Sequence, residues 1–363
     1  MRKPFVTSLA TLLFFATTIE AGNWWEDINM KGDLRYRHEM IDTENGDARH
    51  RHRLRARLGI YGDANDYTRI GIQLATGSDN PVSTNQTLDN GFSTKNIMLD
   101  MAYLEIVPKW EPGLSLTAGK FKNLFYKPGS SELLWDSDLN PEGALVNYTV
   151  KNKDYDFTLI GAGLWIEERF SEEDSWMAAG QAIFRYRIDE KKTNIAVGGG
   201  MFNYVNTKGF EPFFDSGEPM GNTVDTAGLY LNDYELLELF VEGNHKLDNI
   251  PVTAVFNYVT NTAVDSLDTG WLVGIHINKA KEPGSWAFRY IYRNLEKDAV
   301  LGAFTDSDFR GGGTDAKGHE IGGSYQLAKN STLNLTYFIN QIGLELDDKE
   351  DFRRLQADLQ LKF

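Results

Sequence analysis

The chain has 363 residues, with 37 Lys and Arg against 52 Asp and Glu for a formal net charge of −15, and it contains no cysteine. Zero cysteine removes disulfides, thiol chemistry and Cys-zinc sites together, and the acidic surplus argues against a nucleic-acid partner. No apolar run reaches the roughly eighteen residues a transmembrane helix needs, while 34 glycines, 21 Phe, 16 Tyr and 8 Trp point towards strands and turns.

At the start, Arg2 and Lys3 precede an apolar stretch over 6–19 and the small residue Ala21. That order of charge, apolar core and small residue predicts a secretory signal over 1–21, followed by one domain over 22–363. An exported chain without a membrane helix can still cross an outer membrane as a closed barrel of strands.

From residue 28 the chain alternates with a period of two, the signature of a strand whose faces meet different surroundings. Ile28, Met30, Leu34, Tyr36 and Met40 are apolar, and the interleaved Lys31, Asp33, Arg35, Arg37 and Glu39 are charged. After a loop at Asn45-Gly46, Arg49, Arg51, Arg53, Arg55 and Arg57 alternate with His50, His52, Leu54, Ala56 and Leu58. Five arginines on one strand face cannot occupy a dry core unless each finds a partner. A transmembrane β-barrel, with lipid outside and a polar lumen inside, accommodates the pattern. The third strand, 67–76, places Ile70, Ile72 and Leu74 outward and Arg69 and Gln73 inward.

The same rhythm predicts strands at 96–107, 114–126, 144–151, 155–166, 176–188, 193–206, 230–246, 252–260, 271–279, 285–294, 317–327, 332–343 and 351–363, sixteen in all. Short turns alternate with longer connections at 77–95, 127–143, 207–229 and 296–316. In the last strand Leu355, Ala357, Leu359, Leu361 and Phe363 alternate with Arg354, Gln356, Asp358, Gln360 and Lys362. A closing amphipathic strand ending in Phe363 resembles the C-terminal signal that the barrel-assembly machinery reads.

Arg35, Arg37, the five arginines of the second strand, Arg69, Arg354 and Lys362 would form a basic wall of the lumen. Facing it, the connection 127–143 holds Leu133, Leu134, Trp135 and Leu139 among the acids Glu132, Asp136, Asp138 and Glu142. An apolar cluster has little use in a loop projecting into water, so packing on the inner wall is expected. Its acids would then face the arginines and set a transverse field favouring polar or zwitterionic solutes. The arginines argue for anions and the overall acidity for cations, and the sign of ion preference stays open at this point.

Other patterns carry less. Two Asp-Ser-Asp triplets, 136–138 and 306–308, have chelating spacing, but calcium wants six or more oxygens, so hydrogen-bonded loops are expected and neither metal nor cofactor. Gly311, Gly312 and Gly313 lack the strand-turn-helix context of a phosphate cradle. His38, His50 and His52 are expected at the level of the lipid headgroups. Trp24, Trp25, Trp110, Trp176, Trp271 and Trp286 lie near strand ends, the position of aromatic girdles. His319 beside Glu320 is the nearest thing to a catalytic pair, with no serine motif to match, so an enzyme is not expected.

Four stretches together resemble the putative porin family of Gram-negative bacteria: Arg-His-Arg-Leu-Arg-Ala-Arg-Leu-Gly (51–59), Thr-Ala-Gly-Lys-Phe-Lys-Asn-Leu-Phe (117–125), Leu-Leu-Trp-Asp-Ser-Asp-Leu-Asn-Pro-Glu-Gly (133–143) and Thr-Asp-Ser-Asp-Phe-Arg-Gly-Gly-Gly-Thr-Asp-Ala-Lys-Gly (305–318). Leu124 departs from the pattern, which leads one to expect proline there. The resemblance implies an outer-membrane diffusion channel of general-porin type for small polar solutes, with an inward-folded third loop. It further implies a homotrimer among lipid and lipopolysaccharide. A substrate-selective channel for anions and a non-conducting adhesion barrel are the alternatives.

Overall fold

A computed structural model describes residues 28–189, 192–214, 217–345 and 349–363; the expected signal segment, Trp24 and Trp25 lie outside the described residues. The strands are β1 (Asn29–Thr43), β2 (Arg49–Asn65), β3 (Thr68–Thr76), β4 (Gln86–Thr87), β5 (Ile97–Ile106), β6 (Leu114–Lys120), β7 (Glu142–Lys151), β8 (Tyr155–Glu167) and β9 (Ser175–Asp189). There follow β10 (Thr193–Val205), β11 (Tyr234–Leu247), β12 (Ile250–Asn261), β13 (Thr269–Asn278), β14 (Trp286–Leu295), β15 (Ala316–Ala328), β16 (Ser331–Ile342) and β17 (Glu350–Lys362).

All but β4 pair antiparallel with their sequence neighbours, and β1 pairs with β17 from Asp33–Lys362 to Thr43–Phe352. The sheet is thereby a closed sixteen-strand barrel with no free edge. β4 is a two-residue piece of the connection 77–96, pairing with Arg53 and Leu54 of β2 above the point where β3 has ended. At the seam Gly32 and Phe363 exchange both backbone hydrogen bonds at 3.0 Å. The Phe363 ring lies over Gly32 where any Cβ would collide with it, so glycine there is what lets the last residue dock.

Period-two alternation places apolar side chains outward round the whole barrel: Leu34 and Tyr36 on β1, Ile70 and Ile72 on β3, Leu239 on β11 and Leu335 on β16 are all exposed. That band is the lipid-facing surface a membrane barrel requires. The inner face departs from the expected uniformly polar lining. Inward residues of β7 to β14, among them Leu164, Phe202, Tyr234 and Leu272, are buried in one cluster with loop residues Leu133, Trp135, Phe213 and Leu301. Three long connections bring apolar side chains against that half of the barrel, and the wall there is apolar to receive them.

One boundary and one register differ from the expectation for identifiable reasons. The strand expected over 114–126 ends at Lys120. Its register partners Gly119 and Gly143 carry φ of +117° and +144°, conformations open to glycine and strained for other residues. Beyond them the chain leaves the sheet and buries Phe121 and Phe125. On β5 the register shifts between Gln73 and Leu74 of its partner strand. The shift is a β-bulge, a device that re-aims a side chain, and it turns Asp100 inward to 9 % exposure.

Candidate functional site

The arginines of β1, β2 and β17 lie on one stretch of inner wall because the seam sets these strands side by side. Arg35 stands opposite Arg55 and Arg37 opposite Arg53, like-charge pairs that would repel if left alone. Carboxylates intervene at every step. Asp33 binds Arg55 at 2.9 Å and Arg57 at 2.7 Å. Arg37 makes a two-pronged contact with Asp358 at 2.6 and 2.8 Å. Glu39, wholly buried, pairs with Arg354 at 2.7 Å and with Arg51. Arg53 reaches Ser83 at 3.3 Å, and Arg35 reaches Asn85 at 2.5 Å, both residues of the connection holding β4. The wall is therefore a compensated lattice, as buried charge demands. Asp33, Glu39 and Asp358 share the arginines' strand parity, a signal present in the sequence that a list of basic residues passes over.

Of the four expected loop acids, Asp138 alone meets the wall, at 3.5 Å from Arg55 and 3.3 Å from Arg57. Glu142 is the first residue of β7 and pairs with Lys120 at 2.9 Å, its side chain largely exposed. Glu132 accepts from the backbone N–H of Ser137 at 2.6 Å. Asp136 accepts from the Asp138 N–H at 2.7 Å and from the Ser307 N–H at 2.8 Å. The second Asp-Ser-Asp triplet repeats this geometry: Asp306 accepts from the Asp308 N–H at 2.8 Å and pairs with Arg293 at 3.0 Å. Asp308 then meets Arg37 at 3.2 Å and Arg354 at 2.8 Å. Each triplet is a tight turn whose first aspartate caps the third and whose third engages arginine. Sequence reading noted both and had no means of joining them.

Charge states divide accordingly. Burial alone would raise the Asp138 carboxyl, but Arg55 and Arg57 outweigh it and hold it below the usual aspartate range; Arg354 and Arg37 do the same for Asp308. Burial, with Asp306 nearby, pushes Glu132 up to about 7. Burial beside Glu132 and Asp138 raises Asp136 as well.

Three cavities run past these groups. One of 680 Å³ at the long-loop end is lined by Asp79, Asp100, Asp138, Asn140, Glu142 and Glu167 with Lys120, and also by Phe213, Phe214 and Phe304. At the short-turn end one of 320 Å³ is lined by Lys31, Arg57, Lys122 and Lys362 against Asp33. Another of 600 Å³ is lined by Lys122, Lys127, Lys151 and Arg185 against Asp156. Asn140 borders the first two, and Lys122 and Ser137 border the last two. At the junction Asn140 donates to Asp100 at 2.8 Å, Gln73 donates to Asp100 at 2.5 Å, and Tyr61 donates to Gln73 at 2.8 Å. Asp100 was missed because strict alternation would send it to lipid; a carboxylate on that phase of a strand is itself the hint of a bulge.

The remaining expected residues lie apart from this junction. Arg49 is exposed at the far end of β2, and Arg69 is half-exposed near the short turns, 3.5 Å from both Asp63 and Glu105. His38, His50 and His52 form one outward cluster with ring centres 4.9 and 5.6 Å apart, and His52 bonds the Tyr36 hydroxyl at 2.7 Å. His319 faces outward against Tyr290 at 2.8 Å, whereas Glu320 faces inward on Arg289. Opposite faces of β15 separate them, so they form no catalytic pair. Trp110, Trp176 and Trp286 are exposed. Among the described residues no group of three or more His, Cys, Asp or Glu is placed to hold a metal ion.

A family profile described as "Putative porin" matches residues 26–213 and 222–346. No curated protein matches the sequence significantly. Among solved structures, Pseudomonas putida OprB at high pH is similar with a TM-score of 0.61 at 10 % identity, over 93 % of this chain and 95 % of that one. Salmonella typhi OmpF in complex with daunomycin gives 0.58 at 14 %, over 93 % and 97 %. A mutant of the Rh. blastica porin gives 0.51 at 11 %, over 93 % and 100 %. At such identities the likeness speaks for the barrel and its topology.

Proposed function

The chain belongs to the putative porin family, and from that premise we propose that it is a passive outer-membrane channel for small hydrophilic solutes and ions. The observation that supports this reading is a run of three cavities in which neighbours share lining residues, Asn140 between the first two and Lys122 and Ser137 between the last two. We read it as the path of an aqueous route from the long-loop end to the short-turn end. The narrow point is taken to lie where the loop residues Asp138 and Asn140 approach Arg57, Asp100 and Gln73. Solutes there are filtered by size and by fixed charge, without chemistry. Loop 121–141 is the constriction in this reading, held by Tyr126 and Gly129 donating to Glu242 at 2.7 Å each.

Support for a filtering field is local. Because Asp33, Glu39, Asp358 and Asp308 compensate most of the arginines, the wall acts less as an anion track than as a rigid backing for the narrow point. Homotrimeric assembly, a lipid and lipopolysaccharide surround, and reading of Phe363 by the barrel-assembly machinery belong to the same proposal. A signal peptide would direct the chain there.

Recording single channels of the refolded full chain in a planar bilayer under a KCl gradient tests the reading. Stepwise conductance, in groups of three for a trimer, is the expected result, with a reversal potential giving ion preference. Silence from protein shown to be inserted and folded overturns it in favour of a non-conducting barrel.

A further inference from the structure

Resting on the channel reading, we propose that the cavity at the long-loop end is a binding site for a small organic cation carrying an aromatic ring. Its lining combines two parts of opposite character. One is aromatic: Phe213 and Phe304 stack at 5.9 Å with planes 15° apart, and Phe304 stacks on Tyr204 at 6.3 Å. Tyr204 in turn lies 6.4 Å from Trp135, so the half-buried Phe304 ring is backed by the buried rings of Phe213, Tyr204 and Trp135. Phe214 remains 42 % exposed with φ of +70°, a left-handed backbone that a phenylalanine adopts at a cost. Its ring lines the cavity.

The other part is negative, and the partners of its carboxylates show where that charge is uncompensated. Asp138 has Arg57 at 3.3 Å, Glu142 has Lys120 at 2.9 Å, and Glu167 has Arg169 at 2.9 Å. Asp100, 9 % exposed on its bulge, receives only the neutral donors Gln73 and Asn140, and among the described residues no cation pairs with it. A buried carboxylate without a counter-charge is costly, and here it borders an open cavity. An incoming ammonium supplies the missing charge while its ring stacks against the phenylalanines. The 680 Å³ volume falls within the range of small-molecule sites. An aromatic anion fails on charge and an aliphatic ammonium on the ring, so the site discriminates on two axes.

The test uses the full chain in a planar bilayer, after open current in KCl has been recorded. Phenethylammonium is expected to reduce that current saturably; ethylammonium should need at least about tenfold more for half-block, and phenylacetate should have no effect. Asp100→Asn should raise the half-blocking concentration about tenfold, and Phe214→Ala severalfold, each judged against the variant's own open current. Equal block by the two ammonium ions, or block unchanged in both variants, overturns the site. Should Asp100→Asn not fold, Phe214→Ala together with the comparison of the two ammonium ions and phenylacetate carries the test. Calorimetric titration of phenethylammonium into protein in detergent separates the claims: a silent bilayer sinks the channel reading, whereas absence of binding heat sinks this site.

Discussion

In the proposed channel, single carboxylates would decide the electrostatics of the passage. Among the described residues, Asp138 is the acid of loop 121–141 that pairs with the arginines of β2, through Arg55 and Arg57. Asp138→Asn removes one negative charge there while Asp33 still holds both guanidiniums. The expected outcome is a severalfold shift of ion preference towards chloride, read from the reversal potential in a KCl gradient, with about 1–3 kcal/mol of lost stability. Glu132 answers to pH. Its carboxyl rises from the ordinary 4.5 to about 7 through burial and Asp306, so the folded chain binds that proton more tightly than the unfolded chain does. Stability from this group is complete below about 4.5 and is lost as pH rises through about 7. Asp138 and Asp308 are shifted the other way, below the aspartate range, and stay charged across that window. Resistance of the loop to proteolysis should therefore fall between pH 5 and about 7.5, and Glu132→Gln should flatten the profile. A profile unchanged by Glu132→Gln would assign the pH effect elsewhere.

At the scale of the strand, two glycines make the loop possible. Gly119 and Gly143 face each other across β6 and β7, and a Cβ on Gly143 would lie 2.3 Å from the carbonyl oxygen of Gly163. Gly143→Ala combines that collision with a left-handed φ and should cost more than about 2 kcal/mol. A drop in the heat-resistant folded band on a gel would show it. On the lipid side, Leu335→Arg on β16 places a charge in the apolar band. That costs about 2–4 kcal/mol near the bilayer midplane, and vesicle insertion should fall accordingly, while protein inserting as well as the parent would place Leu335 outside the band. The period-two pattern was enough to locate all sixteen strands, most within two residues, because lipid outside imposes the alternation on every one. It did not show the apolar half of the lumen, because inward leucines and phenylalanines such as Leu164 and Phe202 acquire meaning only once loops from distant sequence pack on them. Nor did it show Asp100, since a bulge breaks the parity on which the reading depends. The shared strand face of Arg51, Arg53, Arg55 and Arg57 was legible, whereas its neutralisation was not: Asp308 reaches Arg37 across 271 residues of sequence.

Taken along the barrel axis, the lining charges are sorted by end. The long-loop cavity presents Asp79, Asp100, Asp138, Glu142 and Glu167 against Lys120, and the short-turn cavities present Lys31, Lys122, Lys127, Lys151, Lys362, Arg57 and Arg185 against Asp33 and Asp156. A conduit negative at one mouth and positive at the other concentrates cations at the first and anions at the second. When the long-loop side is held positive, both ions are driven from their enriched ends towards the middle and carriers accumulate there; the opposite polarity draws both away and depletes it. Current should therefore be larger with the long-loop side positive, by a factor of about 1.5 or more at 0.1 M KCl, where the screening length is about 10 Å. At 1 M that length shrinks to about 3 Å, and the asymmetry should fade. Lys122→Glu with Lys151→Glu, which lightens the positive end, should reduce the asymmetry at low salt and leave the high-salt conductance nearly unchanged. A straight current–voltage relation at 0.1 M, from channels inserted in one orientation, would mean that ions do not travel past these two sets of charges.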